Sequence, residues 1–342
     1  MSLRVAILGA TGYGGGELLR LLLAHPDVEV VWATSRTSTG VPVGRVHRNL
    51  LGLTDLEFSS PSIDELAAST DLVIGALPHG ASATTLGALV DRGRRVIDLS
   101  GDFRLRTEAQ YRLHYKAEHP RPDLLEHAVY GAPEARRDQI RGAQLVASPG
   151  CFATAINLAL LPMTAHLNGS PMVVGMTGSS GSGADPAEGT HHPTRAQTLR
   201  PYKVLGHQHV GEVTQLLAEQ GGRVPSLEFT PISAPLVRGI LVVVQVELTG
   251  EWTDETVDRL YRDFYASHPF VKVVHSREPE CGPISGTNYA EVRARTIGGR
   301  RLHVMCAIDN LVKGGAGQAV QSLNLMNGFP ETAGLQWSGS WP

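Results

Sequence analysis

Leu3-Arg4-Val5-Ala6-Ile7-Leu8-Gly9-Ala10-Thr11-Gly12-Tyr13-Gly14-Gly15 takes the chain from a strand through a glycine loop into a helix. Val5–Leu8 is a short apolar run of strand type. Leu18, Leu19, Leu22 and Leu23 then form one helical stripe within Gly15–Ala24, before a stop at His25-Pro26. Glycines at 9, 12 and 15 allow a tight turn and a close approach of backbone to a pyrophosphate seated on the helix N-terminus. The spacing is GxxGxxG rather than GxGxxG, so the strand–loop–helix setting carries the reading more than the glycines do. On it, Gly9, Thr11, Gly12, Tyr13 and Gly15 are dinucleotide contacts. The alternative is a glycine-rich turn with no ligand.

Outward from this loop, Val28–Thr34, Leu72–Ala76, Arg95–Leu99 and Gln144–Ala147 read as further strands separated by helical patterns. Such alternation implies parallel pairing through right-handed crossovers, hence a Rossmann-type doubly wound sheet over residues 1–150. The second strand ends in Thr34-Ser35-Arg36, a hydroxyl and a cation where an NAD site usually carries an acid. Ser35 and Arg36 therefore favour NADP, unless Arg36 is a solvated surface arginine. Leu77-Pro78-His79-Gly80 follows another strand, so Pro78 lines the same cleft, while His79 reads equally as a turn residue.

After residue 150 the texture changes. A helix (Cys151–Leu161) precedes the strand Pro171–Met176, a glycine-rich passage, and the strand runs Ser226–Ser233 and Arg238–Leu248. The helix Thr253–Ser267 and the strands Phe270–Val274, Tyr289–Thr296 and Arg301–Ile308 complete an α+β domain over 151–313 with a largely antiparallel sheet. The helix starting at Gly314, within segment 314–342, is expected to pack back onto the first domain.

Bulk properties narrow the class without choosing a function. Of the 342 residues, 42% are hydrophobic and 18% charged, ample for packed cores. A net charge of −3 gives no electrostatic case for nucleic acid or a membrane surface. No run approaches the roughly 20 apolar residues of a membrane span, and the N-terminus lacks a signal-peptide layout. Three scattered cysteines, with no CxxC, suit reduced thiols in a cytoplasm rather than disulfides or zinc. His191-His192 has no evident third ligand, so no metal is expected.

The chemistry gathers around Ser148-Pro149-Gly150-Cys151. Pro-Gly makes a sharp turn and leaves Cys151 in the first turn of a helix, where the dipole favours thiolate over thiol. Cys306 lies in an apolar strand pattern and reads as core, while Cys281 in a polar loop is ambiguous. A thiolate beside a nicotinamide is the pairing that makes a thioester and reduces it. His209 is the preferred acid/base. Glu212, three residues later on a helix from Val210, would hold the imidazole's far nitrogen. His207 would share its side if the segment is extended, as substrate contact or reserve base. Ser180 and Gly181, in the Gly/Ser run Thr177–Gly183, could form an anion nest or approach a flat ring. Arg104 and Arg238 are candidate anion clamps, or surface arginines. Asn310 either hydrogen-bonds a nicotinamide carboxamide or caps the last helix.

Together GATGYGGGELLRLL (9–22), SPGCFAT (148–154), GSSGSGA (178–184), GHQHVGEV (206–213), VRGILV (237–242), GTNY (286–289) and AIDNLVKGGAGQAVQSLNLM (307–326) resemble the N-acetyl-γ-glutamyl-phosphate reductase family, relatives of aspartate-semialdehyde dehydrogenase. The resemblance implies a catalytic Cys151, an acid/base His209, an NADP loop at Gly9–Gly15 and a cofactor contact at Asn310. Ser148, in the cysteine motif, and Arg104 and Arg238 are then the substrate candidates. It also implies a Rossmann domain joined to a sheet-rich oligomerisation domain, so a homodimer or homotetramer. The implied reaction is NADPH-dependent reduction of the γ-acyl phosphate to a semialdehyde through a thioester, with backbone N–H groups near Cys151 holding the oxyanion. Gly189–Arg195 and Glu118–Leu125 resemble, in addition, a sister branch that reduces aminoadipyl phosphate on a small acidic carrier protein in lysine synthesis. An aspartate-semialdehyde-type enzyme and a non-catalytic NADP-binding sensor are the remaining readings.

Overall fold

Val5, Ala6, Ile7 and Leu8 are buried in strand β1 (Leu3–Leu8), around which the first sheet is built. A computed structural model describes residues 2–224 and 226–340; Met1, Pro225, Trp341 and Pro342 lie outside the described residues, and with them the ends of the predicted domain 1–150 and segment 314–342. The chain divides into two compact units, residues 1–149 with 315–336 and residues 150–314 with 337–342.

In the first unit β1 leads to α1 (Tyr13–Leu22), β2 (Val28–Thr34), the short α2 (Val43–Val46), β3 (Phe58–Ser59) and α3 (Ile63–Ser69). Then come β4 (Leu72–Gly75), α4 (Ala81–Val90), β5 (Arg95–Asp98), α5 (Glu108–Tyr115), β6 (Val129–Tyr130), α6 (Pro133–Arg141) and β7 (Leu145–Ala147). The strands form a parallel seven-stranded sheet in the order β3-β2-β1-β4-β5-β7-β6. Strands apolar on both faces fit a parallel sheet covered on both sides, and Leu72, Val73 and Ile74 of β4 are wholly enclosed. Chain order reverses between β1 and β4, which sets the loops after these two strands side by side at the carboxyl edge. Local chemistry starts the helices. Ser62 and Glu65 make a reciprocal capping box on α3, and Thr107 caps α5.

The second unit runs α7 (Cys151–Leu160), β8 (Leu167–Thr177), the short α8 (His192–Arg195), β9 (Arg200–Pro201), α9 (His209–Glu219), β10 (Glu228–Ser233) and β11 (Ile240–Leu248). It continues through α10 (Asp254–Tyr265), β12 (Val271–Val273), β13 (Ala290–Ile297) and β14 (Arg301–Ile308). The sheet order is β12-β13-β14-β11-β8-β10-β9. Its central pairs are antiparallel, as expected, but β10 runs parallel to β8 and β12 parallel to β13. Phe152, Ile156, Ala159 and Leu160 of α7 pack into this unit's core with Val242, Val244, Val292 and Val304 of the sheet. Burying an aliphatic side chain of this kind is worth about 1.5–3 kcal/mol, so α7 is firmly held. Helix α10 shows Val257, Tyr261 and Tyr265 on one stripe, and the two phenols donate to the carbonyls of Ala159 and Leu158. Helix α7, which Cys151 opens, is thereby held against the sheet along its length.

The chain then returns to the first unit through α11 (Gly317–Asn327). A single-turn π-helix, Val312–Ala316, precedes it, where the sequence predicts an α-helix starting at Gly314. Such widened turns concentrate at functional sites.

Candidate functional site

In the first unit, each glycine of the loop answers a separate demand. Gly9 sits at φ +73, and a Cβ there would meet the carbonyl oxygen of Ala76 at 2.5 Å, so only glycine lets the loops after β1 and β4 touch. A Cβ on Gly15 would lie 2.6 Å from the Cα of Ala10, which seats α1 directly on the loop. A Cβ on Gly12 would meet nothing nearer than 3.8 Å, and Gly12 begins α1 without a side-chain cap. Open space above uncapped helix N–H groups is a cradle suited to a pyrophosphate. Thr34 steadies the loop, its carbonyl accepting from Ala10 N at 2.9 Å. His47 also fastens it, with Nε2 2.7 Å from the Ala10 carbonyl and its ring where a Gly16 side chain would be. Sequence reasoning missed His47, since a histidine thirty-odd residues downstream carries no local signal.

Ser35 is buried and its Oγ accepts from Ser38 N, so it shapes the turn in which Arg36 stands exposed. Thr11 is half-buried and Tyr13 exposed at the same loop. Pro78 accepts from Ser82 N at the start of α4, beside Gly80 and Ala83, whose N–H groups both donate to Asp102. His79 is a turn residue, its Nδ1 accepting from Gly101 N. Burial pushes the neighbouring Asp98 carboxyl up to about 6 against donors from Ser100 and Ser82. Arg104 is buried, its Nε donating to the Ser148 carbonyl at 2.8 Å and its Nη2 to the Leu99 carbonyl at 2.7 Å. The Ser148 hydroxyl, also buried, has no protein partner among the described residues.

In the second unit, Cys151 is the first residue of α7, with Gly150 in extended conformation as its uncapped N-cap. The wholly buried Glu212 binds this turn directly, its Oε2 accepting from Gly150 N at 2.9 Å. Its Oε1 lies 3.9 Å from His209 Nε2, an electrostatic contact rather than a hydrogen bond. The imidazole occupies the place where a side chain on residue 150 would be, since a Cβ on Gly150 would fall 2.2 Å from His209 Nε2. Glycine at 150 is thus what admits His209 to the residue beside the thiol. A second glycine opens the other flank, as a Cβ on Gly314 would sit 2.8 Å from the Cβ of Cys151.

The histidine pair is not extended. His209 opens α9 and His207 lies in the turn before it. The Nδ1 of His207 accepts from His209 N, and its ring is enclosed edge-on by Phe152, Phe229 and Tyr202. Burial, helped by His209 and Lys203, pushes its pKa down to about 3, so at neutral pH it is an uncharged acceptor. The structure thus gives His209 and His207 different surroundings.

Asn310 spans the second unit's loops. Its Nδ2 donates to Ser180 Oγ at 3.0 Å and its Oδ1 accepts from Gly239 N at 2.8 Å, with Gly181 alongside. The wholly buried Asp309 accepts from Arg238 Nη1 at 3.3 Å and from the N–H groups of Gly286, Leu311 and Val312. Ser180, Gly181, Arg238 and Asn310 therefore form one cluster, hinged on an aspartate that the sequence reading passed over. Cys306 is wholly buried in β14. Cys281 is a poor nucleophile, because burial, then Asp309 and Glu291, push its thiol up to about 11. Among the described residues no group of three His, Cys, Asp or Glu side chains is placed to hold a metal. None of the described helices is long and apolar enough to cross a membrane.

Residues 4–143 match the family model described as the semialdehyde dehydrogenase NAD binding domain, and residues 151–310 the semialdehyde dehydrogenase dimerisation domain. The N-acetyl-gamma-glutamyl-phosphate reductase of Thermus thermophilus is 45% identical over 356 residues, covering 99% of this chain and 100% of that one. The LysW-L-2-aminoadipate 6-phosphate reductase of Deinococcus radiodurans is 42% identical over 347 residues, covering 99% and 98%. Among solved structures, aspartate semialdehyde dehydrogenase II from Vibrio cholerae superposes with a TM-score of 0.74 at 18% identity, covering 96% of this chain and 99% of that one. The aspartate semialdehyde dehydrogenase of Candida albicans, solved with NADP, gives 0.73 at 14% identity over 96% and 99%. At such identities these last two speak for the fold alone.

Proposed function

The chain belongs to the semialdehyde dehydrogenase family, and we propose that it reduces N-acetyl-γ-glutamyl phosphate to N-acetylglutamate semialdehyde and phosphate, using NADPH. The observation that carries this reading is the fit of His209 and Glu212 onto Gly150, beside the thiol that opens α7. In the reading, the Cys151 thiolate attacks the γ-acyl carbon. The C–S bond forms as the acyl C–O bond to phosphate breaks, and phosphate leaves with the bonding pair. Uncapped N–H groups in the first turn of α7 are the donors for the oxyanion that develops on the carbonyl oxygen. His209 takes the thiol proton at the start and returns a proton when the C–S bond breaks to release the aldehyde, which together are worth about 10²–10⁴-fold. Glu212, buried 3.9 Å away, is placed to stabilise the imidazolium form in which that proton is held. Gly9–Gly15 would hold a nicotinamide dinucleotide, which when bound would supply the hydride for the reduction. Gly12, Thr11 and Tyr13 would hold its pyrophosphate, and Ser35 and Arg36 a ribose 2′-phosphate. Asn310 and Ser180, already bonded to each other, would meet its carboxamide as a preset pair.

A second reading rests on the relatives. One is named for aminoadipate phosphate on LysW at an identity close to that of the acetylglutamyl enzyme. One methylene is worth only about 1–3 kcal/mol in an apolar pocket, so chain length is decided by few contacts. The deciding assay follows phosphate-dependent NADP reduction with each semialdehyde. Turnover of acetylglutamate semialdehyde at the higher kcat/KM is expected; turnover of only the carrier-bound aminoadipate semialdehyde would move the protein to the second reading. In the same assay Arg36→Ala should weaken NADP about tenfold or more and leave NAD unaffected. Equal use of both cofactors by the wild type would remove the role of Arg36.

A further inference from the structure

Arg195 is a buried cation that no carboxylate neutralises among the described residues. It closes α8 and is 8% exposed. Its Nη1 donates to Ser233 Oγ, and its Nη2 to the carbonyls of Thr177 and Ala234, each at 3.2 Å. Its Nε is enclosed by protein and has no partner among the described residues. Neutral acceptors solvate a guanidinium only in part, and a buried charge left unpaired is costly unless something else balances it. An orphaned N–H on a fixed guanidinium is the donor an incoming oxyanion would take up.

Its place gives it a task. Thr177 and Ser233 end β8 and β10, which run parallel and adjacent, so Arg195 spans the carboxyl ends of both strands. The loop holding Ser180 leaves β8 at this edge, and Phe152, the residue after Cys151, lies against Gly175 of the same strand. Tyr202 connects the two groups. Its phenol is held well above the ordinary range by burial first, then by the charge of Cys151, while Arg195 pulls it down. Tyr202 also packs with Cys151 against this unit's core, its ring 6.0 Å from that of His207.

We infer that Arg195 receives an oxyanion of the substrate, phosphate or carboxylate, in the pocket served by Cys151. The inference rests on the proposed reductase activity and adds to it a binding residue of stated chemistry. In this role the substrate supplies the negative charge that the fold withholds, and the oxyanion is drawn to the acyl carbon's end of the sheet.

The test is steady-state kinetics of the full-length chain in the oxidative direction, with inorganic phosphate and the semialdehyde varied separately. Arg195→Gln should raise one KM about 10- to 100-fold and lower kcat much less. A rise confined to phosphate places the leaving group on Arg195, and a rise confined to the semialdehyde places the substrate carboxylate there. Should Arg195→Gln fail to fold, Arg195→Lys keeps the charge but loses the Nε donor, and the same KM should rise several-fold. Two unchanged KM values, with or without a loss of kcat, overturn the assignment. Failure of the wider reading shows itself differently, because then the wild type turns over neither semialdehyde. In that event the preference of Cys151 for iodoacetate over iodoacetamide should still fall in whichever variant folds, and an unchanged preference overturns the inference.

Discussion

Cys151→Ala is expected to lower kcat by at least about 10⁴-fold, the scale on which removal of a nucleophile acts. NADPH should still bind with wild-type affinity, measured by quenching of its fluorescence, because the dinucleotide loop belongs to a separate unit. The variant should also fold. Residue 151 is half-exposed at the start of α7, whose packing is supplied by Phe152, Ile156 and Leu160. Loss of activity with intact cofactor binding separates a missing nucleophile from a damaged protein. Turnover within tenfold of wild type would end the thioester mechanism through Cys151. The other two cysteines give the control. Cys306→Ala opens a cavity in the sheet core and Cys281→Ala removes a thiol that burial holds protonated, so neither should approach the Cys151 effect.

The parts legible in the sequence are those that periodicity and glycine chemistry encode locally. The strand Leu3–Leu8, the loop to Gly15 and the helix behind it were readable because neighbouring residues enforce one another. The helix after Gly150 was readable because Pro149-Gly150 breaks a strand and an apolar run follows. What stayed hidden depends on contacts between distant segments. The i,i+3 spacing offers Glu212 to the imidazole's far nitrogen, but its side chain accepts from Gly150 N and lies 3.9 Å from the ring. That choice is made by how α9 crosses the start of α7, which no i,i+3 spacing reports. His207 and His209 look equivalent in HQH, yet the start of α9 between them gives one an aromatic box and the other a place against Gly150. Arg195 was invisible for the same reason. Its carbonyl partners lie on β8 and just after β10, and a sequence shows an arginine's charge but not the absence of an acid around it.

Gly150→Ala tests the site from the backbone side. The backbone at 150 has φ −66 and ψ 147, a conformation that alanine adopts freely, so the substitution adds no strain of its own. Its whole effect comes from one methyl, which would fall 2.2 Å from Nε2, 2.5 Å from Cδ2 and 2.6 Å from Cε1 of His209. The hydrogen bond from residue 150 N to Glu212 does not involve the Cβ and should persist. The imidazole must therefore swing away while the thiol and its helix stay in place. Overpacking of this kind costs about 1–3 kcal/mol of stability, visible as a lowered Tm. The larger effect is on chemistry, where displacing the general base should lower kcat about 10²–10⁴-fold with little change in substrate KM. A double-mutant cycle makes the attribution. In a His209→Ala background the ring is gone, so adding Gly150→Ala should cost almost nothing further in Tm or kcat. Fully additive losses would mean that the methyl acts on something other than His209. A Gly150→Ala enzyme with wild-type kcat would show that the imidazole against Gly150 is not the proton carrier, and would leave Cys151 without its partner.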